Sequence, residues 1–186
     1  MERCEWIQGK PEFYTRYHDE VWGRPCHNDQ ELFEWLILET FSTGLSWQIA
    51  LSKKESFQKA FDNFNLELVA AYTDEKIAIL MADASIIRHR GKINATIQNA
   101  QAFLDVQKEF GSFDTYIWSF TKGQTIHRKE ADRKVKSNLS DAITKDLKKR
   151  NFRWVGSITI YSYLQAIGII NDHDATCFCF DEIKSN

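Results

Sequence analysis

The chain has 186 residues, 43% of them hydrophobic, which is enough to bury a full core, so we expect one domain over residues 1–186 or two helical lobes around a cleft. Its formal charge of −2, from 24 Lys and Arg against 26 Asp and Glu, excludes a generally basic surface, so nucleic-acid binding would need a local patch. Charged residues from Glu2 onward predict that no signal peptide is present, and no stretch is apolar enough for a membrane span, so a cytoplasmic protein is expected. Apolar residues recur at helical spacing almost throughout, which predicts an all-α fold.

The predicted helices follow from this spacing and from the residues that can cap them. The first core helix is expected to have Asp29 as its N-cap, and a second, capped by Ser46, is expected to extend to Phe61. Further helices are predicted over 65–72, 74–81, 91–110, 140–150 and 157–167. The segment 121–140 is polar and poor in apolar residues, so it is predicted to be a loop or a lid.

One Cys/His pair lies near the start of the chain and another near its end, and together they are candidate zinc ligands: Cys4, His18, His173 and Cys177. The last two are four residues apart, so a short final helix would present both on one face. Two thiolates and two imidazoles suit tetrahedral zinc and leave no position for a catalytic water, so the ion would be structural. Cys26, His27 and Cys179 are alternative ligands. Buried cysteines around a core histidine would give the same pattern without a metal.

Glu39 ends a core helix and precedes the turn-like segment 42–47. Aromatic residues make up 13% of the chain, and many of them cluster between Trp6 and Trp47. Because a buried carboxylate is costly unless it is paired or hydrogen-bonded, Glu39 beside this cluster indicates the wall of a ligand pocket. A Glu39 that points to water fits the sequence as well.

The segment 149–157 has the pattern of a helix-hairpin-helix, in which two helices are joined by a tight turn that exits through Val155-Gly156. Free N–H groups at the start of the second helix would form a phosphate site. The basic residues beside it are Lys145, Lys148, Lys149, Arg150 and Arg153. An ordinary helical hairpin with a solvated face gives the same pattern. A second basic cluster, from Arg88 to Lys92, is either a DNA backbone contact or a solvated helix end.

Motifs along nearly the whole chain resemble those of the bacterial 3-methyladenine DNA glycosylase I family, part of the helix-hairpin-helix superfamily. The matching residues are Met1-Glu2-Arg3-Cys4 with Trp6, Tyr17-His18-Asp19 with Trp22-Gly23 and Pro25, Leu38-Glu39, Gly44-Leu45-Ser46-Trp47, 86–93, Trp118-Ser119-Phe120, the hairpin, and Asn171-Asp172-His173. The resemblance implies a compact all-helical glycosylase. It also implies one structural Zn²⁺ per chain, which joins the N- and C-terminal segments through Cys4, His18, His173 and Cys177.

The resemblance also implies a function in base-excision repair, namely a monofunctional enzyme that flips N3-methyladenine out of alkylated double-stranded DNA and releases it by hydrolysis. Glu39 would be the catalytic residue and would bond the adenine edge. The base would be held by the aromatic side chains of Trp6, Tyr14, Tyr17 and Trp47. These rings attract a cationic base by cation–π interaction. The residues at the DNA would be Leu45, Asn151, Arg153, Gly156 and Ser157.

Cleavage of the DNA backbone is not expected, because related enzymes that cut DNA use a lysine shortly after the hairpin glycine, and here Gly156 is followed by Ser157. Other superfamily members have a catalytic aspartate after the hairpin, for which Asp172 or Asp174 is a candidate. Asn151 replaces the glycine that usually begins the hairpin, and asparagine accepts the left-handed backbone this position needs.

Two alternatives remain open from the sequence. The loop 40–43 departs from the Gln-rich pattern of the family, so the first is a catalytically weak or inactive relative that binds damaged DNA. The second is a zinc hydrolase that uses Glu20 or Glu39 as its base. No membrane or obligate protein partner is implied, and a monomer is expected.

Overall fold

The computed structural model describes residues 2–128 and 134–185, and this part of the chain confirms the predicted all-α fold. The helices are α1 (Glu12–Glu20), α2 (Asp29–Ser42), α3 (Trp47–Ser52), α4 (Lys54–Ala60), α5 (Leu66–Ala70), α6 (Asp74–Ala82), α7 (Arg90–Phe110), α8 (Phe113–Ser119), α9 (Asn138–Lys149), α10 (Ser157–Ala166) and α11 (Phe178–Ser185). Two 3₁₀ turns cover Glu5–Ile7 and Asp62–Phe64. Two short strands, β1 (Ile126–His127) and β2 (Ile170–Asn171), pair in parallel. Among the described helices, none has the length and apolar character needed to cross a membrane.

Helix α2 runs through the centre of the fold. Every residue from Leu32 to Phe41 is buried, so the helix lacks the polar face of a surface helix. It packs against α3, α7, α8 and α10, which cover it on several sides. Glu39 lies in its last turn and is therefore buried by the position of the helix itself.

The N-cap of α2 is Asn28, and the prediction of Asp29 in this position was wrong. The side chain of Asn28 accepts a hydrogen bond from the N–H of Glu31 at 3.1 Å. Asp29 faces the start of α8 instead, where its carboxylate accepts the N–H groups of Phe113 and Asp114, both at 2.8 Å. A short polar side chain at a helix start can satisfy either its own helix or a neighbouring one, and spacing alone does not distinguish the two.

Helix α7 is the longest in the described chain and supports both the α2 C-terminus and the hairpin. Its N-cap is His89, whose Nδ1 accepts the N–H of Lys92 at 3.2 Å. It ends at Gly111, whose φ of +86° allows the chain to leave the helix. The buried side chains along one face include Lys92, Thr96, Asn99, Phe103 and Val106. This spacing of three and four residues is that of a core-facing stripe.

Three predicted elements differ from the structure. The helix predicted from Ser46 to Phe61 is divided at Lys53 into α3 and α4, and the Ser46 side chain makes no capping hydrogen bond. The segment predicted as a loop contains β1 and the first residues of α9, while residues 129–133 lie outside the described chain. The short helix predicted to carry His173 and Cys177 is absent, because both precede α11, which begins at Phe178.

Candidate functional site

Cys4, His18, His173 and Cys177 form one buried cluster whose ligand atoms all lie within 4.8 Å of one another. Nδ1 of His173 is 3.5 Å from the sulphur of Cys4 and 3.5 Å from that of Cys177. Nε2 of His18 is 3.7 Å from the sulphur of Cys177. Tetrahedral zinc, with bonds of about 2.3 Å to sulphur and about 2.0 Å to nitrogen, separates these ligands by about 3.6 Å. The cluster could therefore bind a metal ion of this geometry.

The second ring nitrogen of each histidine is already engaged, which leaves the other one for an ion. Nδ1 of His18 bonds a carboxylate oxygen of Asp19 at 2.8 Å, and Nε2 of His173 bonds the carbonyl oxygen of Trp22 at 2.8 Å. Asp19 also accepts from the guanidinium of Arg3 at 3.0 Å. Partners of this kind fix the tautomer and the orientation of a metal-binding histidine.

The alternative ligands lie differently. The sulphur of Cys179 faces the carbonyl oxygens of His18 and Asp19, at 3.9 and 3.8 Å. Within the part of the chain that the structure describes, it belongs to a group of three possible ligands with these same two residues. Cys26 and His27 contact acidic side chains away from the four-residue cluster. Burial lowers the pKa of His173 to about 4, so its imidazole is neutral, as a metal ligand must be.

Glu39 is 5% exposed and lies in the last turn of the buried helix α2. Burial raises the pKa of its carboxyl to about 8, against a weaker lowering by the hydroxyl of Ser42, which lies 3.5 Å from Oε2. Burial, and next the charge of Glu39, raise the pKa of Tyr14 and of Tyr17, as expected of hydroxyls close to this carboxylate. Within the described residues, Glu39 makes no ion pair. The structure thus contradicts a Glu39 that points to water.

The four aromatic residues predicted for the pocket contact one another, and two of them, Tyr14 and Tyr17, are close enough to Glu39 to be affected by its charge. Tyr17 is central, with ring centroids 6.3 Å from Tyr14 and 5.5 Å from Trp47, and Trp6 lies 5.6 Å from Tyr14. The indole Nε1 of Trp47 is buried, and no acceptor in the described chain lies within hydrogen-bonding distance of it. A buried donor without a partner is costly unless a ligand supplies an acceptor.

Trp6 connects this pocket to the Cys/His cluster. It lies in the 3₁₀ turn directly after Cys4, and its ring packs edge-on against the imidazole of His18 at 5.2 Å and against Trp22 at 5.0 Å. Trp6 is therefore in contact with both the Cys/His cluster and the aromatic residues near Glu39.

The helix-hairpin-helix is formed by α9, the turn 150–156 and α10. Asn151 has φ of +68°, which confirms the left-handed backbone expected of it, and Trp154 is also left-handed at +57°. The buried amide of Asn99 holds the turn by accepting the N–H of Arg153 at 2.7 Å and donating to its carbonyl at 3.1 Å. Gln98 donates to the carbonyl of Asn151 at 3.1 Å. The turn is thus supported by side chains of α7, and α10 begins directly after it at Ser157.

The second basic cluster, from Arg88 to Lys92, was predicted to be a DNA backbone contact or a solvated helix end, and either would require all of its basic side chains to be exposed. Arg88, His89 and Arg90 are exposed, whereas Lys92 is 3% exposed and contacts backbone carbonyls at the end of α2. Leu45 is 46% exposed and stands on the turn between α2 and α3.

The remaining candidate acids lie outside the aromatic pocket. Asp172 and Asp174 both form ion pairs with Arg128, and Asp172 also accepts from Gln165 at 2.6 Å. Glu20 is exposed and pairs with Arg16 one helical turn away. These contacts explain each carboxylate without a catalytic task.

Several neighbours of the site were missed in the sequence. Trp35 packs on Tyr17 at 5.5 Å and on Trp47 at 6.4 Å, and its position four residues before Glu39 on the same helix was the available signal. Lys92 and Asn99 occupy the core-facing stripe of α7, where a charged or amide side chain is unusual. Ser42, which contacts Glu39, carries no comparable signal.

Comparison with known proteins agrees with this geometry. The model of the methyladenine glycosylase family matches residues 6–180. The DNA-3-methyladenine glycosylase 1 of Escherichia coli is 41% identical, with 97% of each chain covered, and the DNA-3-methyladenine glycosylase of Haemophilus influenzae is 38% identical, with 95% of this chain and 97% of the relative covered. The crystal structure of a Tyr-to-Phe variant of a 3-methyladenine DNA glycosylase I, in complex with 3-methyladenine, superimposes with a TM-score of 0.91 at 34% identity, covering 97% and 98% of the two chains.

Proposed function

Since this chain belongs to the methyladenine glycosylase family, we propose that its aromatic pocket binds a flipped-out 3-methyladenine with Glu39 as the catalytic residue. Its activity is that of a monofunctional DNA-3-methyladenine glycosylase, which begins base-excision repair on alkylated DNA. The single observation that carries the assignment of the site is the buried Glu39 carboxylate among aromatic rings, without a cationic partner in the described chain.

The charge of the substrate explains why this pocket selects it. Adenine methylated at N3 and still joined to its sugar carries a positive charge, whereas undamaged adenine is neutral. Ionised Glu39 would pair with that charge and hydrogen-bond the adenine edge. The ring faces of Trp6, Tyr14, Tyr17 and Trp47 would add cation–π attraction. Nε1 of Trp47, which has no acceptor among the described residues, is available to the base or to a water beside it.

The same charge makes the base a good leaving group, so the protein needs to do little covalent chemistry. Bond breaking moves the positive charge from the base onto the sugar, which becomes oxocarbenium-like. The carboxylate of Glu39 stabilises this charge. After the neutral base departs, water adds to the sugar carbon and gives up one proton to the solvent, which leaves a hydroxyl group there. Without a lysine after the hairpin glycine, no covalent intermediate with the sugar is expected, so the DNA backbone stays intact.

DNA binding is proposed at the hairpin and at Leu45. The free N–H groups around Gly156 and Ser157 would bind a phosphate, supported by the exposed side chain of Arg153. Such contacts read no sequence, as suits an enzyme that must act wherever damage occurs. Leu45 would fill the gap that the flipped nucleotide leaves. We further propose that the protein acts as a monomer on the nucleoid DNA of the cytoplasm.

Zinc is the ion we propose for the Cys/His cluster, bound by Cys4, His18, His173 and Cys177. Its bonds would join the N-terminal segment to residues 173–177. All four positions would be occupied by protein, so the zinc-hydrolase alternative would have no site for its water.

A base-release assay tests this proposal. The protein is incubated with DNA methylated at adenine N3, and free 3-methyladenine is separated and quantified against the spontaneous rate. Release above that rate is expected from the natural chain, and Glu39→Gln should reduce it. Binding to DNA that contains an abasic site, without release of base, would instead support the inactive relative.

A further inference from the structure

Lys92 is 3% exposed and lies in the first turn of α7. Its ammonium donates hydrogen bonds to the carbonyl oxygens of Phe41 at 2.9 Å and of Thr43 at 2.6 Å, and it lies 5.4 Å from the ring centroid of Trp154. Within the described residues it forms no ion pair. A buried charge without an opposite charge is costly, so the two hydrogen bonds to carbonyls and the contact with Trp154 must offset this cost.

The two carbonyls belong to the end of α2 and to the turn that carries Leu45. Thr43 has φ −55° and ψ 120°, Gly44 has φ +81°, and the N–H of Leu45 bonds the carbonyl of Ser42 at 2.8 Å. These values define a type II turn with Thr43 and Gly44 in its centre. A type I turn of the same four residues differs by a flip of the peptide between these two residues, whose oxygen is the Thr43 carbonyl.

Lys92 bonds this same oxygen. The bond therefore selects the type II form and sets the direction in which Leu45 leaves the turn. The bond to the Phe41 carbonyl holds the preceding end of α2, where a cation is also favoured by the helix dipole.

On its other side, Lys92 contacts the hairpin through Trp154. Trp154, half-exposed and left-handed, contacts both Lys92 and the ring of His89 at 5.2 Å. The adjacent Arg153 backbone is held by Asn99 of the same helix. One end of α7 thus connects the turn of Leu45 to the turn of the phosphate site.

We propose that Lys92 is a positioning residue for base extrusion, which holds Leu45 in the direction and at the distance from the hairpin that insertion into the DNA requires. This inference rests on the proposed function, in which Leu45 fills the gap beside the flipped base. Lys92 touches neither the base nor the sugar, so its effect should depend on whether the base has to leave a duplex.

The test compares Lys92→Met with the natural chain on methylated duplex DNA and on the same methylated strand without its complement. Methionine keeps the apolar stem of the buried side chain up to the ε position but has no ammonium to donate to the two carbonyls. In single turnover, release from the duplex is expected to fall about tenfold or more, because small displacements of a positioned group cost rate steeply. Release from the single strand should stay within about twofold, because little extrusion is needed there.

Lys108→Met is the matched control, since this lysine lies on the same helix but is exposed and paired with Asp105. It should leave both rates unchanged, and Lys92→Arg, which keeps donors, should partly restore release from the duplex. If Lys92→Met loses the same fraction of its release rate on both substrates, Lys92 only supports the fold. If the release rate does not fall on either substrate, the turn does not need the hydrogen bonds of Lys92. Either result overturns the inference.

A second readout does not depend on catalysis. A 2-aminopurine next to an abasic analogue in a duplex becomes brighter when Leu45 unstacks it, and Lys92→Met should reduce this gain. If the natural chain releases no base, the proposed function fails, while the 2-aminopurine signal still decides for or against Lys92.

Discussion

Nδ1 of His173 lies 3.5 Å from the sulphur of Cys4, although 169 positions separate the two residues in the chain. The other nitrogen of the same ring is held by the carbonyl of Trp22. This hydrogen bond fixes the orientation of the ring toward the sulphur, and Trp6 follows Cys4 by only two residues.

Cys4→Ser is expected to reduce the zinc content to well below the one ion per chain that we propose, and to lower the free energy of unfolding by on the order of 3 kcal/mol. Base release should fall with it, because Trp6 loses its anchor. Metal analysis by mass spectrometry and thermal unfolding with and without a chelator measure both effects. Cys26→Ser is the matched control, since this thiol lies outside the cluster. A Cys4→Ser protein with a full complement of zinc would contradict the proposed ligands.

Glu39→Gln is expected to slow the release of 3-methyladenine by about 10- to 100-fold, because it removes the charge that pairs with the cationic base but keeps its shape. Single-turnover release from methylated duplex DNA measures the change. Glu34→Gln is the control on the same helix, since Glu34 is also buried but pairs with Lys54 and Gln58, each at 2.9 Å. The control should lose stability and keep its release rate, and equal losses in the two variants would argue against a special role of Glu39.

The release rate should also depend on pH. Burial raises the pKa of Glu39 to about 8, so the free protein carries a neutral carboxyl at lower pH. When the DNA concentration is well below the dissociation constant, the release rate depends on the protonation state of Glu39 in the free protein. The rate should then rise about tenfold per pH unit below pH 8 and level off above it. Glu39→Gln should abolish this rise, whereas an unchanged profile in the variant would assign the titration to another group.

The stability of the fold should change with pH in the opposite direction. The folded protein holds a proton on Glu39 up to about pH 8, while the unfolded chain releases it near the ordinary value of 4.5. The folded state therefore binds the extra proton between these two values, and its stability falls as the pH rises through this window. The stability of Glu39→Gln relative to the natural chain should therefore be higher at pH 8.5 than at pH 5, as chemical denaturation at both values would reveal.

Arg153→Ala is expected to weaken duplex binding a few-fold and to reduce the slope of log affinity against log salt by about 1, as for the loss of one phosphate contact. The backbone of Arg153 should stay in place, because Asn99 holds its N–H and carbonyl. Affinity for an abasic-site duplex at several salt concentrations measures this. Lys108→Ala, distant along α7, should leave the slope as it is, and an unchanged slope in Arg153→Ala would remove that side chain from the DNA surface.

The sequence was sufficient to predict the helical fold, because the helical period of apolar residues is a local property. The long helix predicted over 91–110 is α7 almost to the residue, and the hairpin helices agree within two residues. The four Cys/His residues also come together, although the reason given for two of them was wrong. His173 and Cys177 come together in a turn before α11 and not on one face of a helix, although they are four residues apart as a helical pair would be.

What could not be predicted depends on contacts between distant segments. Asp29 caps a helix that begins 84 positions later, and a local rule assigned it to its own helix. Lys92 was interpreted as surface charge because basic residues precede it, yet α7 turns that one side chain inward. Both cases involve a polar side chain whose partner is known only once the helices are packed.

The distance in sequence between the two halves of the Cys/His cluster also sets an order of events in folding. Cys4 and His18 emerge early in synthesis, whereas His173 and Cys177 follow after more than 150 further residues. Contacts so far apart in the chain form late, because a long loop must close first. Trp6 therefore gains its support from the cluster only near the end of folding, so the aromatic side chains near Glu39 would be among the last parts of the fold to become ordered.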